Sequence, residues 1–354
     1  EGGLGLCWEG WGLIEQNFIG ETPDDTALNY AALRGALTSL EDPYTIFLEP
    51  VVRQEEQISL RGNYGGIGAY IQRNEEGEAI LLPIPGNPAE AAGILEGDVL
   101  IAIDGERVTA EMTSDMIAEI VRGEKGTTVT LTVIHPGESE AVDVTIERGD
   151  ILVPSVISRI LPDEPTIGYI QLSRFSGESA GEVETAVLAL QDQGAESIIL
   201  DLRGNGGGLL DAAVEIADQF VTEGDLLYQE SKREGERIYE ATAEAVDADV
   251  PLVVLVDRGS ASASEILAGA LQDLDRATLI GMQTFGKGSV QLVYDLSDGS
   301  SIHVTSARWF TPNRHQIDQQ GLTPDIVVEP TAEGAESGRD EILERAVGFI
   351  SDGE

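Results

Sequence analysis

The chain has 354 residues, 64 acidic against 21 basic, for a formal charge of −43 at neutral pH. Its length suits two or three domains with real cores. Its charge repels phosphate backbones and anionic lipid, so nucleic acid and membrane surfaces are not expected partners.

Arginine outnumbers lysine 18 to 3, so the acidity is partly lysine depletion. Salt-rich surroundings, which screen surface carboxylates, are expected to favour such a bias. A single cysteine, Cys7, excludes an internal disulfide and any multi-cysteine metal site. The chain begins with Glu, without a basic and then apolar leader, so a targeting segment is expected to be absent or already removed. Apolar runs such as Leu252 to Val256 are too short to span a bilayer, and a soluble chain without a transmembrane segment is expected.

In chain order, residues 1–58 read as a helical lead-in. Leu13, Ile14 and Phe18, then Leu28, Ala31, Leu33, Leu37 and Leu40, recur at spacings near three and four. Thr22-Pro23-Asp24-Asp25 predicts a break and a fresh N-cap, and Glu41-Asp42-Pro43 an end. Residues 59–149 switch to short β-like runs: Gly65 to Ile71, Ala79 to Leu82, Val99 to Ile103 and Thr128 to Val133. A short helix is predicted over Pro88 to Gly93 and a longer one over Ser114 to Val121. From 150 to 331 strands and helices alternate, which argues a largely parallel sheet covered by helices. Strands are predicted over 167–172, 197–202 and 252–256, and helices over 180–193, 209–220 and 263–274. Further strands are predicted over 289–294 and 301–308, around the Asp298-Gly299 turn. Residues 332–354 form an acidic tail with a helix over 341–349.

Three segments could carry chemistry. Ser262, in Gly259-Ser260-Ala261-Ser262-Ala263-Ser264-Glu265, falls where a strand gives way to a helix, a place where backbone amides and the helix dipole face developing negative charge. Read alone, Ser262 to Glu265 is better explained as a capping box. Lys287, in Phe285-Gly286-Lys287-Gly288-Ser289, has no charged neighbour in sequence. A neutral lysine of that kind can accept a proton from a serine, while a solvated turn lysine is the bland alternative. Asp201-Leu202-Arg203-Gly204-Asn205-Gly206-Gly207-Gly208 follows a strand and precedes a helix, so its glycines can aim N–H groups into a site or simply make a turn. It lacks the Gly-Lys-Ser/Thr ending of a phosphate loop and the third glycine of a dinucleotide fingerprint, which argues against a nucleotide-binding enzyme. His135, His303 and His315 are scattered, with no Asp, Cys or second His at ligand spacing, and give little support to a metal site or a Ser-His-Asp triad.

Taken together and in this order, these motifs resemble the C-terminal processing (tail-specific) serine peptidases over nearly the whole chain. Gly65-Gly66-Ile67-Gly68-Ala69 and Pro85-Gly86-Asn87-Pro88-Ala89 add to the likeness. The resemblance implies a mixed α/β fold: a ClpP/crotonase-like βα core with an inserted β-rich PDZ domain and helical N- and C-terminal segments. It implies Ser262 as nucleophile, Lys287 as general base and Gln291, one helical-turn spacing later, as the group orienting the lysine. Gly208 and Ala263 resemble the oxyanion-hole donors, with Gly207 the alternative to Gly208. Gly206 departs from the family, which usually shows proline there.

The PDZ resemblance implies that a substrate tail adds as a strand beside Gly66, Ile67, Gly68 and Ala69. An apolar last residue is expected. Arg122 matches a family arginine that couples the PDZ domain to the active site, or is an ordinary arginine before a glycine stop. The implied partners are protein or peptide substrates with accessible C-termini, in an extracytoplasmic location and without a cofactor. The apolar faces near Trp8, Trp11 and Phe18 could serve a homodimer, as helical termini do in this family, or be buried inside the monomer. A PDZ-type binding protein on a catalytically inactive core is the competing expectation.

Overall fold

The computed structural model describes residues 5–74, 76–242, 245–246 and 249–352. Residues 1–4 and 353–354, the outer ends of the two expected helical termini, lie outside these. Contacts divide the chain into two units: Gln57–Tyr228, Ile238–Gly288 and Phe310–Glu354 in the larger, and Glu1–Glu56, Gln229–Arg237 and Ser289–Trp309 in the smaller.

At the centre of the larger unit is a six-stranded sheet of order Val156–Leu161, Glu164–Leu172, Ser197–Asp201, Leu252–Val256, Thr278–Gly281 and Ile326–Val327. The first pair is antiparallel and every later pair parallel. Ser197–Asp201 and Leu252–Val256 are buried at every position. This is why they read as unbroken apolar runs rather than alternating ones. On one face Tyr169, Ile199, Val253, Leu255 and Ile280 pack with Ile342 and Ala346 of the helix Glu341–Asp352. The side chains of Ile170, Ile198, Leu200 and Val254 alternate with these. Helices Ser179–Asp192, Leu210–Asp218 and Ala263–Asp273 pack in succession there. Gln171, Asp201, Leu255 and Ile280 stand level across the sheet, so the loops after four strands leave from one edge. In open α/β sheets that edge is where sites form.

Inserted ahead of this sheet is an antiparallel one of order Ala69–Arg73, Ala79–Pro83, Asp98–Ile103, Thr128–Ile134 and Val142–Glu147, with Glu106–Arg107 beside the third strand. Its core includes Ile67, Leu81, Ile117, Leu131 and Val133. The helix Ser114–Val121 begins at Thr113, whose hydroxyl accepts the Met116 amide at 3.2 Å. Asn63–Gly66 pairs with Gly149–Leu152 to close the module's two-stranded stem. The expected single run from Gly65 to Ile71 is therefore two strands. The chain turns at Gly68, whose φ of +71° suits glycine, and a Cβ there would lie 2.3 Å from that of Asn87.

The smaller unit holds helices Gly5–Asn17 and Asp25–Thr38, and Asp24 caps the second by accepting the Ala27 amide at 2.8 Å. Its strand Ile46–Leu48 pairs with Ser301–Phe310, which returns from Ser289–Asp295 around the Asp298-Gly299 turn. The charged stretch from Arg53 belongs to a further helix, Pro50–Arg61. Its periodicity is masked because Arg53 is itself buried, held by Glu56 at 2.6 Å and Asp295 at 2.8 Å. Gln291 lies on the strand Ser289–Asp295, with a register shift between Val290 and Gln291. Its spacing from Lys287 is therefore not that of a helical turn. Among the described residues no helix is long and apolar enough to cross a membrane.

Candidate active site

Loops leaving the level edge of the central sheet are stitched together by hydrogen bonds. Asp257, just past its strand, accepts the amides of Gly204 and Gly259, each at 2.9 Å, through one carboxylate oxygen. The Ser260 hydroxyl donates to the Leu202 carbonyl at 2.8 Å, and the Phe285 amide to the Ser260 carbonyl at 3.0 Å. Segments 201–208, 257–264 and 282–288 thus form one continuous rim. These are the three segments singled out by the sequence.

Ser262 stands at φ +56° and ψ −114°, immediately before the helix Ala263–Asp273. For a residue with a side chain this is a strained backbone, costing about 1–3 kcal/mol, of the kind that persists where the surroundings over-determine it. A sharp strand–turn–helix elbow is how a nucleophilic serine is held out at the start of a helix. The Ser262 N–H donates to Oε2 of Glu265 at 2.9 Å, which forms the glutamate half of the predicted capping box.

Glu265 does more than cap. It is fully buried, and its carboxylate also accepts the Thr284 hydroxyl at 2.5 Å and the amides of Gly286 at 2.7 Å and Lys287 at 2.9 Å. Ser262 and Lys287 are therefore anchored through their main chains to one carboxylate. Nothing in the local sequence signals this, since the partners lie 19 to 22 residues away. Lys287 is half-buried between two glycines that the fold requires. A Cβ on Gly286 would lie 2.9 Å from the Gly321 nitrogen, and one on Gly288 2.5 Å from that of Asp318.

The glycine loop closes over the serine. A Cβ on Gly207 would lie 2.9 Å from that of Ser262 and 3.0 Å from the Ala263 nitrogen. Gly207 donates its own N–H to Oδ1 of Asn205 at 2.9 Å. Gly208 has φ +145° and bridges to Phe175, where a Cβ would meet the Phe175 carbonyl at 2.1 Å. Only a glycine fits there. Behind the loop, Arg203 joins Asp201 at 2.6 Å to Asp340 at 2.6 Å, and Asp201 also accepts the Tyr169 hydroxyl at 2.7 Å. Burial and the Asp201 carboxylate push the Tyr169 phenol up to about 12.

In the antiparallel module, Gly66, Ile67 and Gly68 are buried, and Ile67 faces the module's core at 3% exposure. Ala69 is half-buried and opens the edge strand, beside which the helix Ser114–Val121 packs. Arg122 caps that helix with its guanidinium 4.9 Å from the centre of the Tyr64 ring. It is thus stacked on the stem rather than freely solvated.

Each histidine has a carboxylate close in space, although none has one in sequence: His135 with Asp98 at 2.7 Å, His303 with Glu56 at 3.1 Å and His315 with Asp273 at 3.3 Å. Asp273 ends the helix that Ser262 begins, some 16 Å away at the usual rise per residue. Among the described residues no three His, Cys, Asp or Glu side chains are placed to hold a metal ion. In the smaller unit Gln291 donates from Nε2 to the Ser289 hydroxyl at 2.9 Å.

Residues 166–328 match peptidase family S41, and residues 65–146 match the PDZ domain. A carboxyl-terminal-processing protease of Synechocystis sp. is 39% identical over 325 residues, covering 91% of this chain and 76% of its own length. The chain belongs to the C-terminal processing peptidases of family S41. A second member, a carboxy-terminal-processing protease of Bartonella bacilliformis, is 35% identical over 312 residues, covering 87% of this chain and 71% of its own. Among solved structures, a photosystem II D1 C-terminal processing protease is 36% identical, with 90% of this chain and 86% of that one covered and a TM-score of 0.51. As a member of this family, the chain is a protease acting on protein, with a PDZ module inserted ahead of a mixed α/β peptidase core.

Proposed function

We propose that this C-terminal processing peptidase is a serine endopeptidase in which Ser262 is the nucleophile and Lys287 the general base. The observation that carries the reading is the shared Glu265 oxygen, which accepts the main chains of both residues at 2.9 Å. Neutral Lys287 takes the Ser262 hydroxyl proton as Oγ attacks the peptide carbonyl. The oxyanion forms against the amides of Gly208 and Ala263. The choice of Gly208 over Gly207 is supported by the Gly207 N–H being already donated to Asn205. The C–N bond breaks as the leaving amine takes the proton from Lys287. Water then attacks the acyl-enzyme, losing a proton to Lys287; the bond from the acyl carbon to Oγ breaks as Oγ takes that proton from Lys287, and the acid departs with Ser262 and neutral Lys287 restored. Gln291 is assigned on the family resemblance to orienting Lys287.

Substrates are selected by their C-terminal tails through a PDZ domain spanning 59–149, which precedes a peptidase core of 150–331. The tail adds along Ala69 at the open strand edge, with its carboxylate at the Gly66 to Gly68 turn and an apolar last residue preferred. Arg122 lies behind that turn, stacked on Tyr64. An extracytoplasmic location and homodimerisation accompany the reading as features of the family.

The test is mass spectrometry of an unfolded protein with an apolar or a charged C-terminus, incubated with wild type, Ser262→Ala and Lys287→Ala. Cleavage is expected to favour the apolar tail and to fall by about 10⁴-fold or more in either variant. Full cleavage by Lys287→Ala refutes the base, and no cleavage by wild type leaves a PDZ-type binding protein.

A further inference from the structure

Asn205 is 1% exposed and uses every polar group it has at the junction of three segments. Its Nδ2 donates to the Leu172 carbonyl at 2.8 Å, at the end of the neighbouring strand. Its Oδ1 accepts the Gly207 N–H at 2.9 Å. Its carbonyl accepts the Ala261 amide at 3.0 Å and the Ser264 hydroxyl at 2.8 Å. Ala261 and Ser264 bracket Ser262 at distances of one and two residues. One side chain and one peptide group thus tie the glycine loop to the sheet on one side and to the turn holding the serine on the other.

The geometry of Gly207 gives this tie a consequence. With its N–H turned inward to Asn205, the chain passes the Ser262 turn so closely that a Cβ on Gly207 would lie 3.0 Å from the Ala263 nitrogen. The Phe175 amide takes the Gly207 carbonyl at 3.0 Å, and the Leu209 amide takes the Phe175 carbonyl at 2.9 Å. Both flanks of Gly208 are fixed, so the orientation of its peptide follows from where Asn205 holds Gly207. Donors pre-set in this way contribute more to a transition state than donors that must turn to meet it.

We propose that Asn205 is a positioning residue that sets the Gly208 donor against the Ser262 elbow, acting on the oxyanion and not on substrate binding. This rests on Ser262 as nucleophile and Gly208 as donor. Asn205→Asp keeps the shape and the acceptor for Gly207 but sets an oxygen against the Leu172 carbonyl. Asn205→Ala removes both side-chain bonds. Ser264→Ala loosens only the tie to the serine helix.

Steady-state kinetics on an unfolded protein with an apolar C-terminus, thermal melting, and inhibition by a peptide aldehyde, which forms a tetrahedral adduct on a serine, test the assignment. For both Asn205 variants kcat is expected to fall by about 10²–10³, the effect of losing an oxyanion donor. KM should stay within about threefold and aldehyde affinity should weaken in step with kcat. Ser264→Ala should lower kcat by about tenfold with KM unchanged. Wild-type kcat in an Asn205 variant overturns the proposal, as does a loss confined to KM and melting temperature. If neither Asn205 variant folds, unchanged kcat in Ser264→Ala overturns it. Ser262→Ala run in parallel separates the failures: residual full cleavage there sinks the nucleophile, whereas an inactive Ser262→Ala beside a fully active Asn205→Asp sinks only the role of Asn205.

Discussion

The backbone amides of Ser262 and Lys287 donate to the same oxygen, Oε2 of Glu265, each at 2.9 Å. The amides of two residues 25 apart in sequence are thereby held within two hydrogen-bond lengths of one another. The other oxygen accepts Thr284 and Gly286, so both lone-pair sets of a fully buried carboxylate are in use. Hydrogen bonds to a charged group are worth roughly 1.5–3 kcal/mol each, and leaving a buried donor unmet costs about as much. Glu265→Gln replaces one acceptor oxygen by an NH₂ group facing N–H donors. Turnover is expected to fall by at least about 100-fold with a lower midpoint in urea, while Glu265→Asp, which keeps the charge on a shorter arm, should retain more of both. Equal activity in Glu265→Gln and wild type, measured as kcat on an unfolded protein, removes Glu265 from the positioning of this pair.

How far the site was legible follows from the range of each interaction. Ser197 to Asp201 and Leu252 to Val256 declare themselves as strands because both faces are buried, and the loops after them inherit a place at the functional edge. The turn at Ser262 carries a local signal as well, through Glu265 three residues on. The rest of Glu265's work is invisible locally, since its partners lie on another loop. Lys287 has no charged neighbour in sequence yet has a carboxylate against its main chain. The hairpin Asp225–Ser231 and Gly235–Glu240 carries no strand signal in sequence because its second strand is mostly exposed and reads as polar. Within the helical lead-in, the helix Pro50–Arg61 carries no apolar periodicity of its own because its buried face contains an arginine. Long-range polar contacts are what pattern and propensity cannot carry.

Acid stability should depend on the link between the glycine loop and the C-terminal helix. Burial works to raise the Asp340 carboxyl, but the Arg203 guanidinium and the Leu343 and Ile342 amides outweigh it and hold it below the ordinary carboxylate value. A carboxylate lowered by folding contributes stability that is complete above its unfolded value of about pH 4 and is lost as pH falls through the folded value. Asp340 is 42% exposed, which screens the pair. Asp340→Asn retains an N-cap and loses the charge, so a cost of roughly 1 kcal/mol is expected. That lowers the melting temperature by about 2–4 °C at neutral pH. Between pH 5 and 3 the variant should lose less stability than wild type, and parallel melting curves across that range would exclude a contribution from this pair.

Tail selection is separable from cleavage if the PDZ turn holds the substrate carboxylate. Gly68 has φ +71°, and any side chain there meets Asn87. Gly68→Val forces the turn open while leaving the rim around Ser262 intact. The preference of kcat/KM for an apolar over a charged C-terminus should shrink by about tenfold, equivalent to about 1.4 kcal/mol of tail binding. Cleavage of a short peptide without a selected tail should be unchanged. An undiminished preference, with the variant's β-sheet circular dichroism intact, would move tail recognition elsewhere.

The net charge of −43 makes a last prediction about conditions rather than residues. Surface carboxylates repel one another over a distance that salt shortens, from about 8 Å at physiological ionic strength to about 3 Å at 1 M. The C-terminal segment illustrates the density involved, with Glu333, Glu336, Asp340, Glu341 and Glu344 within twelve residues. The chain has only three lysines to offset such runs, and several of its basic side chains are committed to fixed partners, among them Arg53, Lys125 and Arg203. Melting temperature and kcat are therefore expected to rise as NaCl increases from about 0.05 to 1 M, across a range where surface repulsion is progressively screened. KCl should act equally, because the effect is one of ionic strength. A flat or falling curve in both salts would mean that the acidity is not an adaptation to saline surroundings, and an increase confined to one salt would indicate specific ion binding instead.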